Sequence, residues 1–336
     1  MPREDSSGIE PEKGLDFAVG EACHAQSHVV PANRRGLWFA MDSTKILAAK
    51  HPTAWGVACG TGAALFWALG FVAARQGITA GLSPLVLALH RYIWPGLVLI
   101  PVVAAYGFKD LGGIGWRRGI TITAFGGLPL ALWSYYGYVY VPLGHGAIIQ
   151  PSCAALGGLI LARLFVKEPM PPRRVGGAIA MLIGLAVIGA EALRSMGGGA
   201  VFGDLLFVAA GCSFAVFGML LRLWRIPALP AVAITSLLSL AGLPFLALDF
   251  KNLLAAGLAE NAMQALVQGA FAGAGAIYLF TRSVILIGVG RAALFPALVP
   301  PFTLLIGYFT LGEVPSTSQL VGLAIVAVGF WLTQQG

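Results

Sequence analysis

The chain reads as an all-α integral membrane protein, with ten transmembrane helices arranged as two inverted five-helix repeats. Three observations predict this. Of 336 residues, 58% are hydrophobic and only 10% charged, with mean hydropathy +0.83; an ordinary soluble domain carries about 25% charged residues. The apolar runs between charges have the length of a bilayer crossing, about 20 residues. The sequence also matches itself at a shift of somewhat under half its length, the mark of a duplicated architecture.

The elements follow in order. Residues 1–50 open with MPREDSSGIEPEKG, which is polar and charged without apolar periodicity, so a disordered tail is expected. That start lacks the basic end and apolar core of a signal peptide. Met41 begins MDSTKILAAKHPTAWG, which reads as an ordinary start, so the upstream residues are either a dispensable tail or a start-site artefact. Apolar runs then span His51–Ala74, Val175–Ala190, Leu205–Leu221, Ile226–Leu248, Asn261–Thr281, Ala292–Gly312 and Val314–Gly336. A further apolar run holds Arg91. The stretch Gly119–Ala162 contains no Asp, Glu, Lys or Arg; it is long enough for two crossings, with Val141-Pro142-Leu143-Gly144 as the turn. The total is ten helices. A β-barrel would show alternating strands of about ten residues instead.

Lys and Arg concentrate in cytoplasmic loops. With the N-terminus inside, the inner face receives Lys45, Lys50, Lys109, Arg117, Arg118, Arg163, Lys167, Arg173, Arg174, Arg222, Arg225, Arg282 and Arg291. The outer face receives Arg75, Arg194 and Lys251. Thirteen against three places both termini in the cytoplasm, in a membrane expected to be the bacterial inner membrane. The formal charge of +7 therefore reflects topology, and nucleic acid is not expected as a partner. The expected partners are the bilayer, a small-molecule substrate and, in a homodimer, a second copy of the chain.

A shift of 145 places Ala147, Pro151, Glu168, Gly177 and Gly184 on Ala292, Pro296, Glu313, Gly322 and Gly329. Near the front of each half, a shift of 147 aligns Gly56, Ala68 and Arg75 with Gly203, Ala215 and Arg222, and sets Trp67 opposite Phe214. The halves are thus 54–190 and 200–333. Five crossings per half make the second copy enter from the opposite side, the plan of many secondary transporters, whose substrate site lies between the halves near the midplane.

In this frame the chain resembles the EamA-type members of the drug/metabolite transporter superfamily over about residues 54 to 333. The residues that carry the resemblance are Trp67-Ala68, Arg91, Gly126-Gly127, Pro151 with Glu168, and Gly177 with Gly184. The second half follows with Gly203-Asp204, Pro296 with Glu313, and Gly322 with Gly329. The resemblance implies ten helices, no ATP-binding domain, and export of small metabolites or drugs. One departure is Leu238, which stands where the repeat would place a partner for Arg91.

The candidate substrate residues come from the polar and aromatic exceptions in the apolar runs. Arg91 lies about seven residues into its helix, roughly 10 Å deep at 1.5 Å per residue, where arginine costs about 2.5 kcal/mol or more. It should face the bundle interior or water, and two roles are open: snorkelling and helix-end pairing, or binding a substrate anion. His90 points about 100° away and is a second candidate. Trp67 sits mid-helix, and Trp133, Tyr135, Tyr136, Tyr138 and Tyr140 crowd the third helix. Tyr136 and Tyr140 share a face at i, i+4, and Tyr136 is the expected cavity residue. Tyr138 and Tyr140 also suit an interfacial belt. Tyr278 echoes this cluster in the second half, and His145 and Gln150 could line an external mouth. Pro151 and Pro296 each remove a helical hydrogen bond and are candidate hinges. Gly176-Gly177 with Gly184 reads as a packing face.

Other classes find less support. Gly211-Cys212-Ser213-Phe214 echoes a serine nucleophile, but no histidine follows residue 145 and no HExxH is present, so the protein is not expected to be an enzyme. Cys23, His24 and His28 lack a second cluster to complete a zinc site, and Cys59, Cys153 and Cys212 fall inside helices. Neither metal nor cofactor is expected, since no GxGxxG or Walker pattern follows a strand. The function read from the chain is a secondary-active exporter of amino-acid-like or carboxylate-bearing metabolites, or of drugs. A channel, or a helical membrane protein that transports nothing, is the alternative; a channel would want charged rings or filter carbonyls.

Overall fold

The computed structural model describes residues 52–141, 143–167, 169–193, 200–311 and 317–334. The polar tail, Glu168, Glu313 and the side chain of His145 lie outside the described residues. Those described form helices and turns, with no strand among them.

Helix α1 runs Pro52–Thr79 and α2 Pro84–Tyr106. Ser83 caps α2 by accepting from the Val86 amide at 3.2 Å, and Pro84 occupies the first turn, where a missing N–H costs nothing. The third apolar stretch is two helices, α3 (Trp116–Gly126) and α4 (Leu128–Tyr140), because the chain turns at Gly127. A Cβ there would lie 2.5 Å from the Thr123 carbonyl and 2.8 Å from Ser239 Oγ. The break is held from both sides: Tyr92 donates to the Gly126 carbonyl at 2.8 Å, and the Leu128 amide donates to Ser239 Oγ at 3.1 Å. Helix α5 (Leu143–Leu161) follows an extended Val141, ends in a π turn at Ala162–Val166, and leads to α6 (Pro172–Leu193).

The second half begins with α7 (Ala200–Leu223) and α8 (Ala228–Ser239), continued by a 3-10 segment Leu240–Leu248. Short helices α9 (Phe250–Ala255) and α10 (Gly257–Gln264) lead through a π-helical stretch, Ala265–Gly275, into α11 (Ala276–Ile287). A short α12 (Val289–Ala292), a 3-10 turn Phe295–Leu298, α13 (Val299–Leu311) and α14 (Thr317–Gln334) complete the described chain.

Among the described residues seven helical segments are long and apolar enough to cross a membrane: 52–78, 84–105, 149–166, 201–223, 228–248, 257–287 and 289–310. Large apolar side chains such as Val98, Leu258 and Phe309 face outward, as lipid requires. The contacts come in pairs exchanged between the halves. Helix α4 packs on α7 as α11 packs on α1, α5 on α7 as α13 on α1, and α2 on α8. Helices α6 and α14 form the largest pairing. Gly177 meets the Gly329 carbonyl, with a Cβ at 2.6 Å, and Gly184 meets Gly322 at 2.7 Å. Rising numbers on one helix meet falling numbers on the other, so the two run antiparallel. Gly176, grouped with this face by sequence, is exposed and has open space around it.

Candidate functional site

A small, partly open cavity lies between the halves. Its apolar wall is Trp67, Phe71, Leu130, Phe214 and Val299; its polar lining is Arg91, Ser134, Tyr135 and Gln150. Trp67 and Phe214, opposite each other in the internal repeat, meet edge to face with centroids 5.0 Å apart, and Phe280 packs behind both. Edge-to-face stacking is a favoured arrangement for such rings.

Arg91 enters this cavity from α2. Its Nη1 donates to the Tyr135 hydroxyl at 3.4 Å, while its buried Nε has no hydrogen-bond partner. Among the described residues no carboxylate pairs with it. Gln150 adds a buried side-chain oxygen without a partner on the same wall. Behind the cavity, Tyr135 donates to Gln268 Oε1 at 2.6 Å, and Gln268 Nε2 donates to the Gly70 carbonyl at 2.7 Å. A cation with an unused donor, an unused acceptor and aromatic faces can hold an amphipathic anion.

The cavity brings together Arg91, Trp67, Pro151 and Pro296, four of the residues singled out in the sequence. Three others lie elsewhere. Tyr136 is 42% exposed on the outside of the bundle, and its neighbour Tyr135, 2% exposed, takes the inward position. The i, i+4 face of Tyr136 and Tyr140 exists, but it looks out; Tyr138 is buried at 7%, where a belt position was open to it. His90 is rotated away from the cavity. Its Nδ1 accepts from Trp94 Nε1 at 2.8 Å, which leaves Nε2–H to donate to Asn261 Oδ1 at 3.0 Å. Tyr278 is half-buried against the main core and is not part of the cavity wall. The two prolines differ as well: α5 runs on through Pro151, whereas Pro296 sits in the first turn of the 3-10 segment that divides α12 from α13.

Gln268 was not apparent from the sequence as a site residue. Its signal was there: Glu260, Gln264 and Gln268 form an i, i+4, i+8 polar ladder in a stretch that is apolar apart from Asn261. Gln264 repeats the Gln268 contact one turn along, donating to the Ala73 carbonyl at 2.7 Å and to Glu260 at 2.8 Å.

A solved structure titled only "Crystal structure of protein" superposes with a TM-score of 0.64 at 19% identity, over 83% of this chain and 96% of its own. At that identity the likeness concerns the fold alone. No curated protein matches the chain. The model of the EamA-like transporter family matches twice, over residues 54–190 and 201–334. Two copies of one family repeat, all-helical and apolar, with a cavity between them, place the protein among multi-pass membrane transporters: the chain belongs to the EamA-like transporter family, in the drug/metabolite transporter superfamily.

Proposed function

We propose that the protein is a secondary-active exporter of small carboxylate-bearing molecules with an apolar or aromatic body. The observation that carries this reading is the unpaired Nε of Arg91 in a cavity walled by Trp67, Phe71 and Phe214. A guanidinium binds carboxylate through a planar fork of donors. Arg91 Nη1 serves Tyr135 and the guanidinium also interacts with the Tyr92 hydroxyl, so the partnerless Nε is the donor we assign to a ligand. Ten crossings in two inverted five-helix repeats, with both termini cytoplasmic in a bacterial inner membrane, complete the reading. The antiparallel glycine crossing of α6 and α14 and the basic inner loops support it. Alternating access follows from rocking one repeat against the other.

The test is counterflow in proteoliposomes preloaded with a panel of small carboxylates, phenylacetate and amino acids among them, with phenethylamine as the cationic control. A carrier gives saturable, trans-stimulated uptake of at least one carboxylate and none of phenethylamine, and Arg91→Gln abolishes the uptake while membrane abundance stays normal. Linear, unsaturable flux would make it a channel. Unchanged apparent affinity in Arg91→Gln would sink the anchor role.

A further inference from the structure

The relay behind Arg91 has a direction that its end fixes. The Gly70 carbonyl can only accept, so the Gln268 amide must turn its NH2 group toward Gly70. Its oxygen then faces Tyr135 and can only accept, so the Tyr135 proton points at Gln268. The Tyr135 lone pairs are left to Arg91 Nη1. One amide thus sets the sense of every hydrogen bond up to the cavity. It also joins α1 to the π-helical stretch 265–275. There Gly273 packs so tightly on the Arg91 carbonyl that no Cβ fits, and a π-helical turn of this kind often marks a functional site.

Resting on the function proposed above, we infer that Gln268 is a positioning residue that ties occupancy of Arg91 to the closure of α1 over the outer side of the cavity. Tyr135 has a single proton. While it serves Gln268, the glutamine is satisfied at both ends and, with Gln264 on Ala73, clasps α1 at two successive turns. A substrate carboxylate docked on Arg91 competes for that proton. When Tyr135 gives it to the carboxylate, Gln268 Oε1 is left buried without a donor, which is costly, and the clasp on Gly70 loosens. Gln264 has no donor to spare, since the two hydrogens of its Nε2 already serve the Ala73 carbonyl and Glu260. The substrate thereby weakens the contact that holds α1 against the 265–275 stretch.

The reporter is Ala73→Cys, on α1 at the clasp and outside the cavity, in a full-length chain whose four native cysteines are replaced. Its rate of labelling by a membrane-impermeant maleimide is read in right-side-out vesicles. Gln268→Met and Tyr135→Phe should each raise the ligand-free rate about tenfold, and the double variant should be no faster than Gln268→Met, because both cut one relay. That coupling lies within the usual range of about 5- to 150-fold. Phenylacetate should speed labelling in the parent and have no further effect in either variant. Unchanged ligand-free labelling in Gln268→Met, or effects of the two changes that multiply, would overturn the inference. If Gln268→Met does not reach the membrane, Tyr135→Phe, which keeps its ring, decides the matter alone: unchanged ligand-free labelling there overturns the inference equally. The ligand-free comparison contains no substrate, so it stands or falls separately from the Arg91→Gln result.

Discussion

Arg91 was legible in the sequence because a formal charge inside an apolar run is conspicuous, and a buried guanidinium must have a use for its donors. Tyr135 was not. A helix that is apolar on every side has no polar face to mark its rotation, so a choice between adjacent tyrosines turns on a 100° angle that the residues do not encode. Gln268 was missed because an amide carries no charge; its importance comes from the carbonyl of Gly70, 198 positions away. The arginine makes a sharp prediction at this scale. Lysine keeps the charge but is a point donor on a flexible stem, and it cannot hold the Tyr135 hydroxyl while presenting a second parallel donor. Arg91→Lys is expected to weaken apparent carboxylate affinity about tenfold in counterflow, equal to about 1.4 kcal/mol. Equal affinity in the two proteins would show that the planar fork is not used.

The glycine spacing of the fifth and tenth helices predicted close packing, and the α6–α14 crossing has it, but not at every glycine named. Gly177 abuts a carbonyl of the partner helix, whereas its neighbour Gly176 faces open space. Spacing alone could not separate them, since both lie within one turn of any interface. The pair supplies its own control. Gly177→Ala forces a methyl against the Gly329 carbonyl and Thr333, an overpacking cost of about 1–3 kcal/mol. Gly176→Ala meets nothing and removes glycine's backbone entropy, a gain of about 0.5–1 kcal/mol. In detergent, Gly177→Ala should lower the unfolding midpoint and Gly176→Ala should hold or raise it. Similar midpoints for the two variants would mean that α6 and α14 are not in such contact. Prolines show the same limit on what a pattern can reveal. Pro151 and Pro296 match in the repeat, yet only at Pro296 does the helix restart, because a proline in a first turn lacks an N–H that the helix does not need.

At the scale of the whole molecule, duplication and basic-residue placement make one joint demand. Equivalent helices of an inverted repeat must run in opposite directions, and α6 and α14 do so where Gly177 meets Gly329 and Gly184 meets Gly322. Opposite directions require an odd number of crossings per half. On the proposed topology of five crossings per half, the segment 194–199 and the C-terminus are expected on opposite sides of the membrane. The proposed orientation, which puts thirteen basic residues inside against three outside, predicts a cytoplasmic C-terminal side. A fluorescent reporter fused after Gly336 should therefore light up, and a phosphatase reporter placed there should stay inactive. The same phosphatase inserted between Leu193 and Ala200 should be active, since the proposed topology puts that segment outside. Basic residues can be moved to test the cause: adding four lysines to the segment 194–199 opposes the existing bias and should reduce the phosphatase signal there. Phosphatase activity at the C-terminus would overturn the orientation. Activity at both places, or at neither, would require an even count of crossings between them and would overturn the inverted repeat itself.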